Sequence, residues 1–174
     1  MTQSIGKDGA PSPKWSDKER IEAQRKLVDL HCEIENTQRD DRVARVVATF
    51  TTKDAYYQIA AGIAHYAGTS AITGWYETLF SVLPDLHISI NHEYDVPGCC
   101  IREMMVTGTH SAEFAGIPAT GKKIAFPVCA LYIFGDDPTQ LIAERAYWDN
   151  DGLIHQMRGE TVVATTELPW DNTK

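Results

Sequence analysis

The spacing of the apolar residues changes once along the chain, near Leu86, and this change constrains the fold more than any other feature. Before Leu86, apolar residues recur every three or four positions, which is the period of an amphipathic helix. After it they alternate with polar residues, as in "LHISINHEYD", which is the period of a half-buried strand. The sequence therefore predicts helices first and strands afterwards.

The first half predicts three helices. Ser16 and Glu19 have the spacing of a capping box, in which each side chain satisfies a free backbone N–H, so a helix begins there. The apolar stripe of this helix is Ala23, Leu27, Leu30 and Ile34. "RVARVVATF" predicts a short second helix. Thr69 or Ser70 caps a third, which Pro84 ends and whose apolar side is Ile72, Trp75, Tyr76, Leu79 and Leu83.

The remaining segments predict strands and their connections. "KDAYYQI" predicts a brief strand, and the Gly- and Ala-rich "AAGIAHYAGTS" predicts a loop. After Leu86, the further strands are "IREMMVTGTH", "KKIAFPVCALYIF" and "LIAERAYWD", followed by a short helix with Asp149 as its N-cap. Helices followed by a meander of antiparallel strands imply an α+β domain in which a curved sheet wraps against a helical layer. The mouth of such a cone is a natural pocket for a small molecule.

Composition limits the partners and the environment of the chain. The formal charge is -8, with 24 acidic and 16 basic side chains, which would repel a nucleic-acid backbone. No apolar run approaches the roughly 20 residues of a membrane span. We therefore expect a soluble cytoplasmic protein that binds neither nucleic acid nor membrane, with a flexible segment over 1–15, one domain over 16–160 and a tail over 161–174.

The four cysteines show neither disulfide-scaffold density nor paired metal-ligand spacing. Cys99 and Cys100 could join His92 on a metal, but structural zinc favours regularly paired ligands, so no metal is expected. No nucleophile elbow such as G-x-S-x-G and no Gly-rich phosphate loop is present.

Four segments resemble a known family in their order along the chain. They are "SVLPDLHISI", "REMMVTGTH", "GIPATGKKIAF" and "AERAYWDNDGLIHQM", and the most specific piece is G-T-H followed by F-x-G-I-P-x-T-G-K. Over roughly residues 20–158 the chain resembles the SnoaL-like polyketide cyclases, within the superfamily related to nuclear transport factor 2. The resemblance implies a cone-shaped α+β barrel behind three N-terminal helices, a homodimer, and acid–base chemistry without metal or cofactor.

The resemblance also implies a structural role for the segment 107–123. In such proteins the Gly-Pro-Thr-Gly stretch connects two long strands, and His110 lies where the first of them ends. Gly108, Gly116 and Gly121 then supply backbone conformations that other residues disfavour, and Pro118 fixes a turn. His110 either caps the strand end or donates a hydrogen bond to a substrate oxygen.

The candidate catalytic residues are Asp149, Glu103 and His92. Family cyclases carry an acid in a Glu-His-Trp-Asp run on the last long strand, whereas this chain reads "AERAYWD". Asp149 is close to that position, as the acid or only as a helix cap. His92 is a pocket base or a core histidine, and Glu103 is a general base or the partner of Arg145. Burial in an apolar cone would raise the pKa of such an acid towards neutrality.

The candidate substrate-binding residues come from segments that edge the cone in this superfamily. Aromatic side chains there would pack against a flat apolar ligand, and phenol groups would donate to a developing oxyanion. Plain core packing is the alternative, above all for Trp75. The set is His31, Tyr56, Tyr57, His65, Trp75, His110, Phe126, Arg145 and Tyr147.

Three functional hypotheses follow. The first is a cofactor-independent enzyme, a cyclase or an isomerase, that uses general acid–base catalysis on a hydrophobic cyclic carbonyl compound. A hydrolase or dehydratase acting on a similar ligand is the second. The third is a non-catalytic module of the same fold for small-molecule binding or dimerisation, which the departure at "AERAYWD" keeps open.

Overall fold

The fold is α+β, with four helices and one six-stranded sheet in the described residues of a computed structural model, 15–59 and 63–160. The helices are α1 (Asp17–Asn36), α2 (Arg42–Val47), α3 (Thr69–Val82) and α4 (Asn150–Arg158). The strands are β1 (Tyr56–Ile59), β2 (Ala64–Ala67), β3 (His87–Val96), β4 (Cys99–Thr109), β5 (Lys123–Phe134) and β6 (Leu141–Trp148). The flexible segment and the tail expected at the two ends lie outside the described residues, apart from Trp15.

The sheet has the strand order β2-β1-β6-β5-β4-β3. The meander from β3 to β6 is antiparallel throughout, as the sequence predicts, and β1 adds to its edge parallel to β6. Inward-facing residues of the long strands are buried against the helices, while those on the other face are partly exposed. The core therefore lies between the inner face of the curved sheet and the helical layer.

Helix α1 begins as predicted but buries a different face. The Ser16 hydroxyl accepts from the Glu19 N–H, and the Glu19 carboxylate accepts from the Ser16 N–H at 2.9 Å, which confirms the capping box. Leu30, assigned to the apolar stripe, is 42% exposed. The buried residues are Gln24, Val28, His31, Cys32, Ile34 and Glu35. The predicted stripe is therefore confirmed at Ile34 and wrong at Leu30, because polar side chains share the inward face with Ile34 and find partners there.

Two local predictions between the helices are also corrected. Residues Ala64–Ala67, expected in a loop, form β2, because antiparallel pairing with β1 supplies the backbone hydrogen bonds that their own sequence does not specify. The N-cap of α3 is Gly68, with φ at 83°, and not Thr69 or Ser70, which lie in the first turn. The remaining helix and strand predictions are confirmed within a few residues of their ends.

A β-bulge reverses the alternation of β3. The register against β4 shifts between Ile90 and His92, so residues after the bulge present opposite faces to those expected. His92 consequently lies opposite Glu103, on the partly exposed outer face. Asp95 instead turns inward, where its carboxylate accepts from buried Arg102 at 2.7 Å.

Residues 110–122 form the predicted connection between β4 and β5. His110 and Lys122 begin it with a backbone hydrogen bond of 2.9 Å, and Phe114 and Ile117 close a tight turn by two further bonds. Gly116 in that turn has φ at 78°, a conformation that favours glycine. Asp85, after α3, anchors the connection through the Thr109 N–H and Lys123.

The four cysteines are free thiols. Across residues 15–59 and 63–160, no helix is both long and apolar enough to span a membrane.

Candidate functional site

A narrow cavity lies between the inner face of the sheet and helices α1, α3 and α4. The space that the centre of a water molecule can reach inside it is about 60 Å³. Its walls are mainly apolar and aromatic, among them Tyr57, Trp75, Leu79, Val82, Met104, Val106, Phe114, Phe126, Val128, Tyr132, Trp148 and Leu153. Because one water needs about 10–15 Å³, the cavity admits a small ligand group.

Two carboxyl groups lie on this apolar wall. Glu35 comes from the last turn of α1 and Glu144 from the inner face of β6, and both are buried. His31, one turn before Glu35 and fully buried, joins them. Its Nε2 is 3.2 Å from Glu144 Oε2 and 3.7 Å from Glu35 Oε2. Three ionisable groups thus meet at one end of the cavity.

The hydrogen bonds around His31 define its protonation. The Thr49 hydroxyl donates to the Val46 carbonyl at 2.7 Å, so it must accept from His31 Nδ1, 2.8 Å away. The Tyr76 hydroxyl donates to Glu144 Oε2 at 2.8 Å, so at 3.1 Å from Nε2 it too accepts from the ring. Both ring nitrogens are therefore donors, and His31 is an imidazolium paired with the Glu144 carboxylate.

The electrostatics agree with this assignment. Burial lowers the pKa of His31, but the neighbouring carboxyl groups of Glu35 and Glu144, the second through a hydrogen bond, outweigh it, so the pKa is raised. Burial raises the pKa of Glu35 to about 8, against the opposing charges of His31 and Arg42. Burial also holds the pKa of Tyr76 well above its usual range. At neutral pH the group therefore contains the His31 imidazolium and the neutral phenol of Tyr76, and Glu35 holds its proton more readily than an ordinary glutamate.

Four of the residues singled out in the sequence belong to this region. Tyr57, Trp75 and Phe126 line the cavity, and His31 lies behind its two carboxyl groups. Tyr57 is packed between Trp75 and Tyr76, with ring centroids at 5.3 and 5.7 Å. The sequence therefore identified much of the aromatic wall.

The three candidate catalytic residues lie away from the cavity. His92 Nδ1 is 3.1 Å from Glu103 Oε2 on the outer face, with side chains 40% and 45% exposed. The Asp149 carboxylate accepts from the Gly152 N–H at 3.0 Å, which is the helix cap expected as the alternative. Glu103 and Asp149 share a shallow surface depression with Tyr147. A catalytic role for these residues stays a prediction.

The other candidates form two groups. On the outer face, Arg145 Nε donates to the Tyr56 hydroxyl at 3.0 Å, and the His65 ring packs 5.1 Å from that of Tyr56. Arg145 thus pairs with a tyrosine and not with Glu103. His110 is fully buried, with Nδ1 2.9 Å from the Thr120 hydroxyl across the β4–β5 connection. This contact fits the structural alternative for His110.

Sequence reasoning missed Glu35 and Glu144. Two signals were available: His31 and Glu35 have the i, i+4 spacing that joins side chains on one helix face, and Glu144 alternates with Ala146 and Trp148 on one strand face. Among the described residues, no three His, Cys, Asp or Glu side chains are arranged to hold a metal ion.

Comparison with solved structures places this architecture among known folds. A protein described as a SnoaL-like polyketide cyclase from Jannaschia sp. CCS1 is 17% identical, with a TM-score of 0.68 over 90% of this chain and 100% of that one. A phenazine biosynthesis-related protein from Pseudomonas aeruginosa is 17% identical, with a TM-score of 0.64 over 87% of this chain and 97% of that one. A protein with a ketosteroid isomerase-like fold from Catenulispora acidiphila is 17% identical, with a TM-score of 0.61 over 78% of this chain and 93% of that one.

The amino-acid sequence supports assignment to a family as well as to a fold. Comparison with curated protein sequences found no significant match. The family of SnoaL-like polyketide cyclases matches residues 24–157, which include all four helices and all six strands except the first residues of α1 and the last residue of α4. The chain belongs to the SnoaL-like polyketide cyclase family.

Proposed function

We propose that the protein is a cofactor-independent enzyme that moves protons on a small hydrophobic carbonyl compound held in the interior cavity. One observation carries this proposal: Glu35, whose pKa is raised by burial, and Glu144 both lie on the wall of an apolar cavity. A carboxylate removed from water is a stronger base, and a neutral acid donates to a carbonyl oxygen as charge develops there.

In this scheme Glu144 removes a proton from the carbon beside the carbonyl, and Glu35 donates a proton to the carbonyl oxygen. His31 acts as a positioning residue, because its Nε2 contacts Glu144 while Thr49 holds its Nδ1. Tyr76 donates to the same Glu144 oxygen and further fixes that carboxylate. Cyclisation and isomerisation both begin with such a proton removal.

The test measures proton removal directly and requires no knowledge of the natural substrate. Cyclohexanone and 1-indanone are incubated with the protein in D₂O, and NMR follows the loss of hydrogen from the carbon beside the carbonyl. We expect accelerated exchange with at least one ketone, and a loss of about 100-fold or more in Glu144→Gln. Glu35→Gln is expected to slow exchange as well.

Glu103→Gln and Asp149→Asn are the matched controls, since both remove an acid outside the cavity and Asn remains a good helix cap. Unchanged exchange in these two variants supports the cavity as the site. If exchange were lost in either of these variants but kept in Glu144→Gln, the catalytic site would be the one containing Glu103 and Asp149. Ketone binding without exchange in the wild type would support the rival function, a non-catalytic binding module.

A further inference from the structure

Two tryptophans on the cavity wall carry buried indole N–H groups without partners. Trp75 belongs to α3 and is 4% exposed, and Trp148 is the last residue of β6. The Nε1 atoms of both are buried, and neither has a hydrogen-bond partner among residues 15–59 and 63–160. Both side chains line the cavity.

Unpartnered indole donors call for an explanation. Buried tryptophans usually find an acceptor for their N–H, because a buried donor without one destabilises the fold. The Tyr57 hydroxyl is near the Trp75 indole but lacks hydrogen-bond geometry towards it. Neither nitrogen is open to bulk solvent, and both side chains line the cavity, which is therefore the space from which a ligand acceptor would approach them.

Packing holds the two indoles in fixed positions. Their ring planes are nearly parallel, at 13°, with centroids 6.4 Å apart. Tyr66 stacks on Trp75 at 5.3 Å, and Phe126 meets Trp148 edge-on at 6.2 Å. Donors held by such packing lose little freedom when a ligand arrives, which favours binding.

The chemistry of these groups defines the class of the acceptor. An indole N–H donates only, so it does not bind a cation through this atom. Glu144 on the same wall disfavours an anion. A neutral oxygen, such as that of a ketone or an ether, satisfies both conditions.

We infer that the indole N–H groups of Trp75 and Trp148 form an acceptor subsite for a neutral oxygen of the ligand, separate from the group formed by Glu35 and Glu144. Trp148 and Glu144 are four residues apart on one strand face, or about 13 Å between Cα atoms. The ligand therefore carries a second oxygen, across an apolar body from the carbon that reacts. This inference rests on the proposed function because both use the same cavity.

The test compares cyclohexane, cyclohexanone and 1,4-cyclohexanedione, which differ in the number of oxygens and little in size. Binding is followed by the indole N–H signals of the ¹⁵N-labelled protein, assigned with Trp75→Phe and Trp148→Phe. We expect the dione to shift the Trp75 and Trp148 signals downfield and to leave that of Trp15 unchanged. In each variant, affinity for the dione should fall about fivefold relative to that for cyclohexane, the effect of one hydrogen bond.

Trp15→Phe is the matched control because Trp15 lies before α1, outside the cavity. Unmoved indole signals in the wild type while other cavity signals shift would overturn the inference without any variant. An equal loss of affinity for all three ligands in Trp75→Phe or Trp148→Phe would also overturn the inference. Cyclohexane has no oxygen, so such a loss would show that the indoles bind the ligand by packing and not by a hydrogen bond. Failure of the proposed function is separate: the indole shifts would then persist in a protein that exchanges no ketone hydrogen.

Discussion

At the scale of single residues, the interior holds His31 with two glutamates within 4 Å of its Nε2. Removing three such groups from water is costly unless they find partners, and here Thr49 bonds His31 while Tyr76 bonds Glu144. Burial raises the pKa of Glu35, so this carboxyl group retains its proton more readily than an ordinary glutamate. The same arrangement provides an acid and a base within one cavity.

The pKa of Glu35 makes stability depend on pH. Between its ordinary value of 4.5 and about 8, the unfolded state releases this proton while the folded state retains it, so stability falls as pH rises. The side chain in Glu35→Gln cannot ionise, so the stability of this variant does not fall with pH for this reason. We expect the free energy of unfolding of the wild type, relative to this variant, to fall by up to about 1.4 kcal/mol per pH unit in that window.

Urea unfolding at pH 5, 6.5 and 8 measures this difference. The control is Glu33→Gln, which changes an exposed glutamate of the same helix and should give a difference that does not vary with pH. A pH-independent difference for Glu35→Gln as well would mean that Glu35 is ionised in the folded protein at neutral pH. The assignment of the neutral acid would then be wrong.

At the scale of elements, the caps and connections fix where helices and strands end. Asp149 ends β6 and starts α4 by accepting from the Gly152 N–H, and α4 in turn supplies Leu153 and Met157 to the cavity wall. The bulge in β3 has a comparable effect, since it turns His92 outward and Asp95 inward. Small local features thus decide which side chains reach the interior.

Asp149→Ala tests the role of this cap. We expect the free energy of unfolding to fall by about 1 kcal/mol, the usual cost of losing an N-cap, with ketone exchange close to wild type below the melting transition. Chemical denaturation and the exchange assay measure the two effects. Asp149→Asn keeps the cap and should keep the stability. If Asp149→Asn abolished exchange with its stability intact, Asp149 would be a catalytic acid after all.

At the scale of the whole molecule, the sheet presents one face to the helices and leaves the other partly exposed. Ile101 and Leu131 pair across β4 and β5 on that outer face, with Met105 and Ile133 nearby. Apolar side chains on an uncovered sheet face favour association. We expect the homodimer that the resemblance implies to use this face as its interface.

Sedimentation velocity tests the homodimer. We expect a dimer for the wild type and a monomer for Leu131→Arg, because a charge at the centre of the interface would be buried without a partner. Leu30→Arg, which changes an exposed leucine of α1, should remain a dimer. A monomeric wild type, or a dimer unaffected by Leu131→Arg, contradicts an interface on this face.

The sequence by itself determined the order of the helices and the long strands, the caps at Ser16 and Asp149, the β4–β5 connection and the family. These features depend on neighbouring residues, whose spacing and turn chemistry are visible in a linear pattern. The tertiary structure alone decided that α1 buries His31 and Glu35 and not Leu30. Ionisable residues are normally solvent-exposed, so a pattern assigns them outward. Only partners distant in the chain, Glu144 on β6 and Tyr76 on α3, compensate for their burial and so create the candidate site.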